Sequence, residues 1–184
     1  MLFRVVIKKI FIIGVLLLTV SFAKAQMFAV KCDMLKGVAM APNLGVDFVF
    51  GEKTTFGVDF FGAKKPWGKD VKMFAVVPEY RFWFGGRPFI RHFVEFSAIV
   101  ANYDIHWKKK MYDGNAVGIG FAFGKTYKLS SRLNFEIVGG LVMLRYKQKE
   151  YYEGDIYEDY GERTNSKGST LLPKIEASIS YIIR

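Results

Sequence analysis

Residues 72–103, KMFAVVPEYRFWFGGRPFIRHFVEFSAIVANY, carry a long alternation of apolar and polar positions. Phe74, Val76, Pro78, Tyr80, Phe82 and Phe84 share one parity, while Ala75, Val77, Glu79, Arg81 and Trp83 share the other. Successive side chains of a β-strand point to opposite faces, so a period of two with large apolar groups on one side predicts a strand. Gly85-Gly86-Arg87-Pro88 reads as a four-residue turn, because glycine accepts positive φ and proline cannot extend a ladder. The stretch is therefore expected to be a hairpin of two long strands.

The format recurs along the chain, and eight strands are expected. They lie at 28–37, 43–50 and 55–63, in the two arms of the hairpin, and at 114–127, 132–147 and 171–184. The sixth has the cleanest pattern, with Val117, Ile119, Phe121 and Phe123 alternating with Gly118, Gly120, Ala122 and Gly124. Connections after the second, fourth and sixth strands are tight turns. Those at 64–70, 106–113 and 150–170 are longer and polar, and the link after the first strand is short. Alternating short and long connections are the mark of an up-and-down barrel with one rim in the periplasm. Strands of nine or more residues are long enough to cross a bilayer with tilt. The expected fold is all-β, an eight-stranded antiparallel up-and-down transmembrane β-barrel.

The face opposite the large apolar groups is charged. Asp47, Asp59, Glu79, Arg81, Glu95, Glu136, Lys174 and Glu176 are expected to point inward as a lumenal charge network. A barrel of eight strands is narrow enough for side chains to fill it, and buried charges must pair. Acids outnumber bases in this set, so ordered water, a protonated carboxyl or another base such as Arg145 is expected to balance it. A proton path or a carboxylate catalytic pair is the functional alternative. A soluble β-sandwich is excluded because it would put these carboxylates inside and rows of Phe, Val, Ile and Leu in water.

Aromatic residues make up 17% of the chain. Trp67, Trp83 and Trp107, with Tyr80, Tyr103, Tyr127, Tyr146 and Tyr181, fall mostly toward expected strand ends, where an interfacial girdle would sit. Ordinary strand propensity explains any one of them equally well.

The first 25 residues are read as a cleaved signal peptide, leaving 26–184 as one barrel domain. Arg4, Lys8 and Lys9 form its basic start, 10–22 its apolar run, and Ala23-Lys24-Ala25 its cleavage site. The alternative, a retained membrane helix, suffers from a short apolar run. Removing Arg4, Lys8, Lys9 and Lys24 lowers the formal charge from +10 to +6. With no basic stripe or recognised motif, nucleic acid is not an expected partner. Outer-membrane lipid and lipopolysaccharide are. Cys32 is the single cysteine, so no intramolecular disulfide is available.

Candidate outer-loop contacts are Lys64, Lys65, Lys69, Lys108, Lys109 and Lys110, suited to lipopolysaccharide phosphates. Tyr151, Tyr152, Tyr157 and Tyr160 stand among Glu153, Asp155, Glu158 and Asp159, a mixture suited to a surface protein or glycan. A loop that is merely solvated is the plainer reading. No catalytic residue, cofactor or metal is assigned. His92 and His106 are the only histidines. Ser97 has opposite parity to His92 and lies nine residues from His106, ~30 Å along an extended strand. A lipid-modifying outer-membrane enzyme is therefore the alternative, and a non-enzymatic barrel the main expectation. The acidic loop lacks the regular ligand spacing of a calcium loop.

PNLGVDF (42–48), PEYRFWF (78–84) and GFAFGKTYKLSSRLNFEIVGGL (120–141) are similar to a family of Bacteroidota outer-membrane barrels known as domain of unknown function 3575. The resemblance covers most of 35–184. It implies an OmpA-like barrel, no defined reaction, and a cell-envelope role beside adhesion or fimbria systems. The chain departs from many such barrels in ending Tyr181-Ile-Ile-Arg184 rather than on an aromatic residue.

Overall fold

The computed structural model describes residues 27–107, 110–152 and 166–183. Alternation along each segment lets it pair on both edges, and the outcome is a ring. Its strands are β1 (Phe28–Asp33), β2 (Asn43–Val49), β3 (Thr54–Lys64), β4 (Val71–Trp83), β5 (Arg91–Trp107), β6 (Lys110–Lys128), β7 (Leu133–Tyr152) and β8 (Ser166–Ile183). They form a closed barrel in chain order, with every neighbouring pair antiparallel. Closure by β1 with β8, from Phe28↔Ile183 to Asp33↔Ser178, leaves no sheet edge along that seam.

Both described chain ends and the connections 50–53, 84–90 and 129–132 lie at one rim, here the turn rim. The other connections define the loop rim. The wall between them is uneven. β1 and β2 have 6 and 7 residues, whereas β5 has 17 and β7 has 20. Twenty residues run ~66 Å along a strand, so one side of the barrel stands far above the other.

Several expected boundaries are corrected. The first strand stops at Asp33, and the chain turns into a short helix, α1 (Met34–Val38). Asp33 is its N-cap, accepting from the Leu35 amide at 2.9 Å, and the Asn43 side-chain amide ties the end of β1 to the start of β2. Alternation in 28–37 breaks once a side chain caps the backbone instead. The stretch 106–113 is not a polar loop: β5 and β6 continue pairing to Trp107↔Lys110. The stretch 150–170 is likewise shorter as a loop, with β7 reaching Tyr152 and β8 beginning at Ser166. Charged and tyrosine-rich sequence resembles loop in composition, but a strand in an extended hairpin is solvated on both faces and accepts it.

The turn at Gly85–Pro88 is part of a seven-residue connection. Gly86 has φ +84, and Phe89 and Arg91 have φ 62 and 63. Left-handed backbone at a bulky residue needs outside support. Here Phe89 is folded into the barrel mouth, 3% exposed, and its carbonyl accepts from Asn134 Nδ2 at 3.1 Å. Pro78, which lacks an N–H, interrupts the β4–β5 ladder between Val76↔Val100 and Glu79↔Ser97 without changing its register.

The outside is apolar. Phe56, Phe60, Phe74, Phe96, Ile119, Phe121, Phe123, Leu141 and Ile175 are all exposed and belong to a belt running around the wall. Trp67, Trp107, Tyr80, Tyr127 and Tyr181 are exposed with them. Trp83, Tyr103 and Tyr146 are corrections to the expected girdle, because their parity points them inward. Trp83 is fully buried and donates from Nε1 to Thr55 Oγ1 at 3.0 Å, while Tyr103 donates to Gln148 Oε1 at 2.6 Å.

Candidate functional site

The interior is layered, and its lowest layer is an apolar stopper at the turn rim. Trp83, Phe89 and Phe93 pack with Ala29, Ala122, Val138 and Ile182. The Trp83 and Phe93 rings have centroids 4.5 Å apart. Gly124 makes the space: a Cβ there would lie 2.2 Å from Phe93 Cζ.

Above it sits the charge layer. Asp47, Asp59, Glu79, Arg81, Glu95, Glu136, Lys174 and Glu176 are all buried, and the barrel brings them together. Each comes from the inward parity of its strand, and strand pairing sets them side by side; Arg81 faces Glu95 in the β4–β5 register. Arg81 is the hub. Its Nε reaches Glu95 Oε2 at 2.9 Å, Nη2 reaches Glu79 Oε2 at 2.9 Å, and Nη1 reaches Glu136 Oε2 at 3.1 Å and Asp47 Oδ2 at 3.4 Å. The planar guanidinium fork suits several carboxylates at once, and Phe93 lies under it at 4.8 Å. Lys174 pairs with Glu79 at 3.0 Å, with Glu176 at 3.6 Å and with Glu95. Ser180 donates to Glu136 Oε1 at 2.8 Å.

Lys31 is a member of this charge layer that sequence reasoning missed. Its ammonium lies 2.5 Å from Glu79, 3.0 Å from Asp59 and 3.7 Å from Asp47. Ala29, Lys31 and Asp33 share the inward parity of β1, so the signal existed in a strand too short to display it. Arg145, expected as the balancing base, is exposed on the outer face instead. Its odd number on β7 settles this, since Glu136 and Val138 are buried on the even side. Gly45 and Gly57 leave room for the acids. A Cβ would stand 2.1 Å from Asp59 Oδ1 at Gly45 and 1.9 Å from Asp47 Oδ1 at Gly57.

Helix α1 caps the low side of the barrel. Lys36 Nζ lies 2.6 Å from Glu176 and 3.2 Å from Asp33, and 5.1 Å from the Phe61 ring centre. Higher still, Ala75, Ala101 and Ala116 form a small-residue layer with Phe61, Ile99, Tyr103 and Tyr146.

What this arrangement can do chemically is limited. Oxygens of Asp59, Glu79 and Glu176 lie within 4.8 Å of one another, a spacing that suits a cation. Lys31 and Lys174 already supply cations there. His106 Nε2 lies 3.1 Å from Asp104 Oδ1, but both are on the outer parity of β5, and Ser97 is on the inner one. No histidine–serine pair forms among the described residues.

The candidate loop contacts divide. Lys64 ends β3 and is exposed, and Lys65 pairs with Asp70 at 2.9 Å, both exposed. That hydrogen bond holds the Asp70 carboxyl below the usual carboxylate range. Lys69 lies 5.2 Å from the Trp107 ring centre, and Lys110 opens β6. Tyr151 and Tyr152 lie in β7. Lys108, Lys109, Tyr157, Tyr160 and the expected signal peptide at 1–25 lie outside the described residues.

A search of curated proteins finds no match. Among solved structures, the chain is similar to the N-terminal β-barrel domain of Pseudomonas aeruginosa OprF. The two share 10% identity with a TM-score of 0.42, over 86% of this chain and 98% of that one. The model of the family described as "Protein of unknown function (DUF3575)" matches residues 10–183, nearly the whole chain, and the protein belongs to that family.

Proposed function

We propose that the protein is a non-enzymatic outer-membrane barrel with a closed lumen, acting as a structural or surface-interaction component of the cell envelope. The observation that carries this reading is the pairing of an apolar exterior with a charged interior. Exposed Phe, Ile and Leu encircle a ring whose interior holds Arg81, Lys31 and Lys174 among buried carboxylates. Water would penalise that exterior, and hydrocarbon accepts it where the closed barrel pairs its backbone groups strand to strand. The loop rim then faces outward, and the signal peptide expected at 1–25 supplies export to a Gram-negative outer membrane.

The interior leaves little room for transport. Arg81 alone reaches four carboxylates across the barrel, and the Trp83–Phe89–Phe93 stopper lies beneath it. The working surface is accordingly the loop rim, with adhesion or association with fimbriae as the finer expectation. The parity of Ser97 against His106 favours this over a lipid-modifying enzyme, whose nucleophile and base must share a face.

Two measurements test the reading. The mature chain refolded in detergent should migrate differently in gels before and after boiling; identical migration counts against the barrel in a membrane mimic. In planar bilayers it should show conductance near zero, and a large steady conductance overturns the closed lumen.

A further inference from the structure

Above the apolar belt on the tall side of the barrel, the outward parity changes from hydrocarbon to cation within one row. The register sets Ile119, Met143 and Leu171 side by side on β6, β7 and β8. The next outward row is Val117, Arg145 and Ser169, and the one above it is Asn115, Lys147 and Lys167. Arg145, Lys147 and Lys167 are exposed, and they line an open cleft of about 760 Å³ with Asn115 and Ser169 at its edges.

Two features mark this as more than a solvated face. Lys147 and Lys167 stand directly opposite one another, with Arg145 one row below on the same face. Like charges at a cross-strand position destabilise a sheet. Among the described residues none of the three makes an ion pair, and the acid in the cleft, Asp113, stands opposite Lys149 rather than between the two lysines. The position is the second feature. Neighbouring strands lie ~4.8 Å apart and alternate residues rise ~6.6 Å, so the backbone positions of the three basic residues fall within ~10 Å at the edge of the belt.

We infer that this cleft binds the phosphorylated sugar headgroup of an anionic glycolipid in the outer leaflet. The inference rests on the membrane reading above. Acyl chains would lie along Ile119, Met143 and Leu171, and the phosphate would sit between Lys147 and Lys167 with the Arg145 fork beneath it. A lipid phosphate there would offset the like-charge repulsion between the two facing lysines. Belt and cleft are continuous, so a lipid meets both at once, whereas free phosphate engages only the charges.

The test uses the full mature barrel in detergent micelles with three probes: bisphosphorylated lipid A, the same lipid with its phosphates removed, and inorganic phosphate. Retention of lipid on the folded protein is read by native mass spectrometry. Bisphosphorylated lipid should be retained and dephosphorylated lipid should not, with inorganic phosphate competing weakly. The triple variant R145A/K147A/K167A should weaken retention on the order of a hundredfold, from about 1 kcal/mol per basic residue. The exposed side chains make no lumenal contact, so the variant should keep the heat-dependent gel shift. A variant that keeps the shift and binds as tightly as the native chain overturns the lipid site and leaves the barrel reading intact. Equal retention of dephosphorylated lipid, or phosphate binding alone, also overturns it. A native chain that enters neither micelles nor vesicles overturns both.

Discussion

At the scale of residues, Arg81 is the hub of the charge layer. It is 1% exposed and contacts Asp47, Glu79, Glu95 and Glu136. Replacing it by methionine keeps most of the volume and strands those acids without their main cation. A buried pair broken from one side costs about 3–5 kcal/mol, so Arg81→Met should lower the denaturant midpoint of the folded gel band sharply. Gly57→Ala acts on the same layer by a different route. Its new Cβ meets Asp47 Oδ1 at 1.9 Å, and forcing the carboxylate aside should cost about 1–3 kcal/mol in the same assay. Lys65 offers the opposite case. Its bond to Asp70 lowers that carboxyl's folded value, so any stabilisation is complete at neutral pH and is lost as pH falls through the folded value. Solvent screens so exposed a pair, and Lys65→Ala should leave the unfolding midpoint unchanged at pH 7. Most of the charge layer was legible in parity, since Asp47, Asp59, Glu79, Arg81, Glu95, Glu136, Lys174 and Glu176 alternate with apolar neighbours. Lys31 escaped because a six-residue strand ending in a helix cap offers too few repeats.

At the scale of elements, the turn-rim connection between β4 and β5 does more than reverse the chain. Phe89 enters the mouth, held by Asn134, and completes the stopper around Trp83. Phe89→Ala removes a buried ring from a packed site, which costs about 3–5 kcal/mol, and leaves the Arg81 layer in place. The expected outcome is an earlier unfolding transition with conductance still near zero. Gly85-Gly86-Arg87-Pro88 announced a turn but not this inward phenylalanine, because a turn signal is local and the pocket that Phe89 fills is built from β1, β4, β5, β6, β7 and β8. Helix α1 was illegible for a related reason. Five residues are too few for a helix to persist on propensity, and the Asp33 cap with the Lys36–Glu176 contact to the neighbouring β8 holds it.

At the scale of the whole molecule, the belt and the lumen make opposite demands on the same substitution. Phe121 lies within the outer belt and packs between Phe96 and Phe123. In vesicles, Phe121→Arg should destabilise the barrel by about 2–4 kcal/mol, the cost of a cation near the bilayer midplane. A barrel that lived in water would gain from the same change. Comparing the midpoint in vesicles of long-chain lipid for this variant and the native chain separates the two cases.

Alternation determined the strand number and the assignment of greasy and charged faces, because a period of two is a property of each segment taken separately, and the connection lengths gave the antiparallel order. Ring closure, the uneven wall and the identity of the balancing base were decided by tertiary structure. Each depends on pairings between residues far apart in the chain: Lys31 with Glu79, Lys36 with Glu176, Lys147 opposite Lys167. Parity says which way a side chain points. Only the register and shear of the closed sheet say what it meets there, and that is why an arginine expected in the lumen stands on the outer wall while a lysine from the shortest strand takes its place.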